Sequence, residues 1–287
     1  MFLAVPDARG QNGGMTRFIV VPQWQGSPSS RAMTLIDGAD AIAGDLPRAS
    51  CSHVDVPLEA GDEIGTGIHR ASSLIHTRRE TIEHITGRDE TPIVIGGDAG
   101  VSVWAIDALA GAGDLAVAWF GAGAPLETPE SSETGAFERM ALSAVLGRFE
   151  SELALARDRV APGGVVLAGV RDDPDPAAVA ASGVSLIDSD ALDGRPEAVA
   201  DAIGERTRVF VHISLDVLDP AELAGVAMPA PFGVSPQRLG ESIAALRTRH
   251  DVVGASITGF APPRPAAAVD DLGTILRVVS ALTKKTA

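Results

Sequence analysis

Eight short apolar runs, set between stretches with helical spacing, leave this chain few folds to choose from. They are Phe18–Val21, Ser52–Val56, Pro92–Ile95, Leu115–Phe120, Val165–Val170, Val184–Ile187, Val209–Ile213 and Val252–Thr258. Continuous apolar runs rich in β-branched residues mark strands covered on both faces. Ile68–Gly87 places Ile68, Ala71, Ile75, Ile82 and Ile85 on one helical face, and Gly135–Leu153 does so with Phe137, Met140, Ala144, Phe149 and Leu153. Ser235-Pro236 reads as a cap and first-turn proline opening a helix to about Arg247, and Ala268–Thr283 is a last amphipathic helix. Repeated strand–helix units predict a mostly parallel sheet with helices on both faces. No linker or repeat interrupts the pattern, so one domain is expected over residues 15–287. Residues 1–14, ending in Gly13-Gly14, read as a disordered leader, or Met15 is the true start.

In open α/β sheets ligands bind beyond the carboxyl ends of the strands. Three strands end in notable residues there. Val209–Pro220 closes on Asp216, Asp219 and Pro220, and proline cannot donate a ladder hydrogen bond. Pro92–Ile95 runs into Gly96-Gly97-Asp98-Ala99-Gly100, and Leu115–Phe120 runs into Gly121-Ala122-Gly123-Ala124-Pro125. Gly96-Gly97-Asp98 reads either as a tight turn that brings backbone close to a ligand, or as a plain turn with Asp98 capping the next helix. It is not G-x-G-x-x-G, so no dinucleotide fingerprint is present. Asp219, just before Pro220, also suits a turn that it hydrogen-bonds itself.

The net charge of −15 and pI of about 4.7 exclude a basic face for phosphate neutralisation, so nucleic acid is not an expected partner. No apolar run approaches the roughly 20 residues of a membrane helix, and the N-terminus lacks a basic head before an apolar core. A cytoplasmic location is expected. Cys51 is the only cysteine, which rules out an intrachain disulfide and cysteine-based structural zinc; it reads as an inert buried thiol. His76, Glu80 and His84 share a helix face and read as a solvated polar face opposite the isoleucine stripe, not a metal site. His212 reads as a satisfied buried histidine. No nucleophile elbow is present.

Taken in order, these motifs resemble the ureohydrolases: arginase, agmatinase and formimidoylglutamase. Gly96–Gly100 is similar to G-G-D-H-S, Trp119–Pro125 to W-F-D-A-H-x-D, and Gly135–Met140 to G-N-x-H-G-M. Leu167–Arg171 resembles the G-x-R strand, Val209–Pro220 the S-x-D-x-D-x-x-D-P strand, and Val252–Pro263 V-V-G-x-D-x-V-E-x-N-P-P. The resemblance covers the chain from about Phe18 to the last helix. It implies a three-layer α/β fold with an eight-stranded sheet, and a homo-oligomer, often a trimer or hexamer. It also implies two manganese ions, held by histidines and aspartates, that generate a hydroxide.

The departures lie in that ligand set. The first histidine position is Ala99, and the D-A-H-x-D ligands fall on Gly121, Gly123 and Pro125. The strand-end aspartates fall on Ser214 and Asp216, the G-N-x-H-G histidine on Glu138, and the guanidinium-binding glutamate on Gly259. Only Asp216 keeps its type among the metal-ligand positions. The expectation is a ureohydrolase-fold protein without bound metal, serving as a small-molecule binder, with a cationic metabolite favoured, or as a partner subunit. The rival is a hydrolase with a rebuilt acidic site, for which Asp98, Glu127, Glu138, Asp216 and Asp219 are the candidates, or with a single residual metal.

Overall fold

A computed structural model describes residues 15–111, 114–172 and 175–284. The expected leader lies outside these residues. The eight expected strands form, with small changes of boundary: β1 (Thr16–Val21), β2 (Cys51–His53), β3 (Thr91–Gly96), β4 (Leu115–Phe120), β5 (Val165–Val170), β6 (Ser185–Asp188), β7 (Arg208–Ser214) and β8 (Asp251–Thr258). They join one sheet in the order β2-β1-β3-β8-β7-β4-β5-β6, and every neighbouring pair is parallel.

Parallel strands need long return connections, and helices supply them. The helices are α1 (Thr34–Gly44), α2 (Ala71–Ile85), α3 (Gly100–Leu109), α4 (Phe137–Val145), α5 (Pro176–Ser182), α6 (Ser189–Gly194), α7 (Ala198–Ile203), α8 (Pro236–Arg249) and α9 (Ala268–Thr283). Side chains alternate along each strand, so each face builds its own core. Val209, Val211 and Ile213 of β7 pack with α1, α7, α8 and α9 on one face. Phe210, with Val117 and Trp119 of β4, packs with α2, α3 and α4 on the other. Among the described residues no helix is long and apolar enough to cross a membrane.

Two helices differ from the sequence expectation. The α2 stripe is carried by Leu74, Thr77, Thr81 and Ile85, while Ile75 and Ile82 are only half-buried. The threonines tolerate burial because each hydroxyl donates to the carbonyl four residues back, Thr77 to Ser73 and Thr81 to Thr77. The helix expected over Gly135–Leu153 ends at Val145, because Gly147 adopts a left-handed φ of 60° that stops it. Phe149 therefore only flanks the core it was expected to enter.

Arg171, one residue past β5, ties the carboxyl-end loops together. Its Nε donates to the Pro231 carbonyl at 2.9 Å. Nη1 donates to Gly169 at 3.1 Å and Val217 at 3.3 Å, and Nη2 to Asp216, Leu218 and Ala230. Loop carbonyls that strands leave unpaired need such partners. The planar five-donor fork reaches carbonyls that a lysine ammonium cannot. Arg171→Lys should therefore lower unfolding free energy by roughly 3 kcal/mol, read as a reduced urea midpoint; an unchanged midpoint would show that the fork is dispensable.

Candidate functional site

Because all strands run the same way, the ends of β3, β4, β7 and β8 share one edge, and several of the residues singled out by the sequence lie there. Gly97 comes first. A Cβ on it would stand 1.4 Å from the Gln23 carbonyl oxygen, so only glycine lets the end of β3 lie against the segment after β1. Three backbone bonds fix that contact: Gly97 N–H to Val21 at 3.0 Å, Asp98 N–H to Gln23 at 3.2 Å, and Gly259 N–H to Gly97 at 2.8 Å. Asp98 is fully buried beneath it. One carboxylate oxygen accepts from Gly100 N–H at 2.8 Å, and the other from Gln23 Nε2 at 2.7 Å. The turn brings its backbone against the segment after β1, and Asp98 accepts from the first N–H of α3, as the capping reading expects.

Ser214, Asp216, Gly121 and Gly259 meet at the ends of β7, β4 and β8. The Asp216 carboxylate accepts from Ala122 N–H at 3.0 Å. A Cβ on Gly121 would lie 3.7 Å from Asp216 Oδ1, from Ser214 Cβ and from Trp119 Nε1. One on Gly259, which has a φ of 85°, would lie 3.4 Å from Ser214 Oγ. Gly123 faces open space. Glu138 enters from the first turn of α4, with its backbone N–H donating to the Gly26 carbonyl at 3.0 Å. Asp98 and Asp216 thus lie close enough to Glu138 for their charges to act on it, and the backbone at Gly121 and Gly259, beside Ser214, carries no side chain. Ala99 is buried and packs in the apolar cluster that α2, α3 and α4 share.

These carboxyls influence one another. Burial raises the pKa of Asp98 to about 6, against the pull of the Gly100, Gln23 and Gly26 hydrogen bonds and of the Arg70 charge. Burial, then the Asp98 charge, raises Glu138 to about 8, with a hydrogen bond to Ser27 opposing and Asp216 adding to the rise. Asp216 is also raised by burial, opposed by Ala122, Ser214 and Arg171.

The other acidic candidates lie elsewhere. Glu127 accepts from Ser132 Oγ at 2.6 Å and sits 3.9 Å from Arg139, within the loop after β4. The carbonyl of Pro125, in the same loop, accepts from Leu142 N–H at 3.0 Å. Asp219 accepts from Ala221 N–H and Gly233 N–H, the turn role that the Asp-Pro pair suits. It lines a separate pocket of about 330 Å³ with Ser189, Asp190, Asp193, Glu222 and Phe232.

Sequence reasoning passed over the segment after β1. Gln23, Gln25 and Ser27 are all buried. Gln25 Nε2 donates to the Pro57 carbonyl at 2.6 Å and to Glu59 at 3.2 Å. Arg70 Nη1 donates to the Gln25 and Ser27 carbonyls. The available signal was Q-W-Q-G directly after a strand, where two amides flank an aromatic ring. His212 is only half satisfied: Nδ1 pairs with Ser102 Oγ at 2.8 Å and Ser256 Oγ at 3.1 Å, while its buried Nε2 has no partner. Burial lowers its pKa to about 3, so the ring is neutral, and it lies against the Trp119 ring with centroids 3.7 Å apart and planes tilted by 32°. Cys51 is only partly buried, contrary to expectation, because β2 is an edge strand. His76 is exposed, and the His84 ring pairs with the Glu80 carbonyl at 2.9 Å.

The donor set was tested against the binuclear manganese site that the resemblance implies. Ala99, Gly121, Gly123, Pro125 and Gly259 carry no side-chain donor, and the Asp216 carboxylate is engaged by Ala122 N–H. Among the described residues, no three His, Cys, Asp or Glu side chains group so that they could hold a metal ion.

The raised carboxyls set a pH dependence. A carboxyl with a folded pKa above its unfolded value makes the folded state hold the extra proton, so stability falls as pH rises through the interval between the two. For Glu138 that interval runs from its ordinary 4.5 to about 8. Glu138→Gln should flatten the decline and be more stable than the parent at pH 9 by about 1–2 kcal/mol. Thermal melts of both proteins at pH 5.5 and pH 9 check this, and equal slopes would count against the buried-charge account.

The profile of the arginase family matches residues 29–276 of this chain. Arginase from Bacillus caldovelox is 28% identical over 208 residues, covering 67% of this chain and 67% of that protein. Arginase from Bacillus subtilis (strain 168) is 28% identical over 170 residues, covering 54% of this chain and 56% of that protein. The second match thus spans little more than half of its relative. The crystal structure of Entamoeba histolytica arginase in complex with L-ornithine superposes with a TM-score of 0.79 at 16% identity, over 95% of this chain and 98% of that one. Formimidoylglutamase from Bacillus subtilis superposes with a TM-score of 0.72 at 15% identity, over 97% and 90%. With its parallel eight-stranded sheet and the matched span of 248 residues, this chain belongs to the arginase family.

Proposed function

We propose that this arginase-family chain is a non-catalytic member that binds a small cation, an amine or a guanidinium compound, in the cleft bounded by Glu138, Ser214 and Asp216. One observation carries the reading. The positions that the family resemblance assigns to metal and guanidinium ligands are bare backbone at Gly121, Gly123 and Gly259, while carboxyls remain around them. Without a metal ion, neutral-pH water lacks the activation that two-ion hydrolases give it. A cation beside Glu138 and Asp216 would favour their ionised forms, so binding would release the proton that Glu138, raised to about 8, otherwise holds near neutral pH. Glu138 and Asp216 keep some surface in solvent, so a ligand can reach them, while Asp98 is held below by its own hydrogen bonds.

Three measurements test this. Incubation with manganese should leave the melting temperature unchanged, since only a ligand that binds the folded state shifts it; a stoichiometric two-ion signal in native mass spectrometry would refute the metal-free reading. Arginine, agmatine and formimidoylglutamate should release no urea or formamide above background, whereas turnover that survives repurification and vanishes in Asp216→Ala would favour the rebuilt hydrolase. In a thermal-shift screen, amines and guanidinium compounds should stabilise the protein and matched anions should not. Stabilisation by anions alone would overturn the electrostatic argument.

A further inference from the structure

Arg70 stands where local structure argues against an arginine. It immediately precedes α2 in a left-handed conformation, with φ 60° and ψ 25°. That region is unfavourable for any side chain bearing a Cβ. It also places a cation at the positive end of a helix dipole. Contacts across the cleft wall offset these costs. Nη1 donates to Gln25 O at 3.2 Å and to Ser27 O at 3.3 Å, and the guanidinium carbon lies 5.0 Å from the Trp24 ring centroid.

The segment it grips is the one that both cleft carboxyls hold. Asp98 accepts from Gln23 and lies so close to Gly26 that a Cβ there would come within 2.8 Å of both its oxygens. Glu138 donates its backbone N–H to Gly26 O and bonds to Ser27. The Arg70 charge is also the smallest of the influences that lower the Asp98 pKa. Residues 23–27 are therefore clamped between two carboxyls and one guanidinium, in the wall of a cleft whose residues do not make a metal site.

We propose that Arg70 is an anchoring cation supplied by the chain itself: its guanidinium orders the 23–27 segment, and with it the contacts that Asp98 and Glu138 make there. It is a positioning residue, and the ligand proposed above binds beside it. This inference rests on the metal-free reading of the cleft but not on which cation the cleft takes.

The test is chemical rescue. Arg70→Ala leaves a guanidinium-sized vacancy against two carbonyls and an indole face, open to solvent because Arg70 is itself only partly buried. The variant should melt several degrees below the parent, and millimolar methylguanidinium should recover most of that loss. N-methylurea, a neutral molecule of similar shape, and potassium, a cation without a donor fork, should not. Arg70→Lys keeps the charge and loses the fork, so it should melt between the two and gain nothing from methylguanidinium. If Arg70→Ala is too unstable to purify, Arg70→Gln takes its place in the same comparison. A variant as stable as the parent, or equal rescue by N-methylurea, would overturn the proposal. Rescue by manganese in preference to methylguanidinium would overturn it too, and would also show that the cleft keeps metal affinity. Failure of amines to stabilise the parent protein would bear only on the small-cation reading.

Discussion

Parallel pairing of β7 with β4 on one side and β8 on the other decides where chemistry can occur in this molecule. A parallel ladder forces each connection to leave at the carboxyl edge and return along a face, so the strand interiors are sealed by helices. Polar residues inside the sheet must then satisfy each other, as the Ser102–His212–Ser256 group largely does. The loops that leave the strands are gathered at the carboxyl rim. The segment after β1, the Gly96–Gly100 turn, the Gly121–Pro125 loop and the Ser214–Pro220 stretch therefore share a wall despite their separation in the chain.

That rim needs its own cohesion, because loops leave backbone groups that no ladder satisfies. Two guanidinium groups supply it in opposite halves. Arg171 collects carbonyls from the β5 end, the stretch after β7 and residues 230–231. Arg70 collects carbonyls from the segment after β1. Asp98 sets its charge against Arg70, and Asp216 sets its own against Arg171.

The sheet was legible in the sequence because buried strands write themselves as apolar runs, and all eight appear within a few residues of where those runs lie. The edge on which the site stands followed from the residues that end them. Helix ends were harder to read: the α4 pattern continues past Gly147, and only the left-handed backbone there shows that the helix has stopped. Thr77 and Thr81 look polar in a string of letters, yet their hydroxyls are spent on their own helix. Asp219 shares a motif with Asp216 but turns toward a different pocket, because Pro220 and Gly233 fix its loop separately. Arg70 left no local trace, since its role depends on residues more than forty positions away.

The aromatic inventory gives the cleft an optical signature. The chain has three tryptophans and no tyrosine, so near-ultraviolet emission comes from very few places. Trp104 is sealed beside Phe137 at 6.3 Å. Trp24 lies under the Arg70 guanidinium, and Trp119 points its indole nitrogen toward Gly121 while its ring leans on a neutral imidazole. Two of the three emitters therefore sit next to the candidate site, Trp24 beside Arg70 and Trp119 beside Gly121. A ligand that displaces the Arg70 guanidinium or crowds Gly121 would change the surroundings of one of them, so binding could be followed by the protein's own fluorescence.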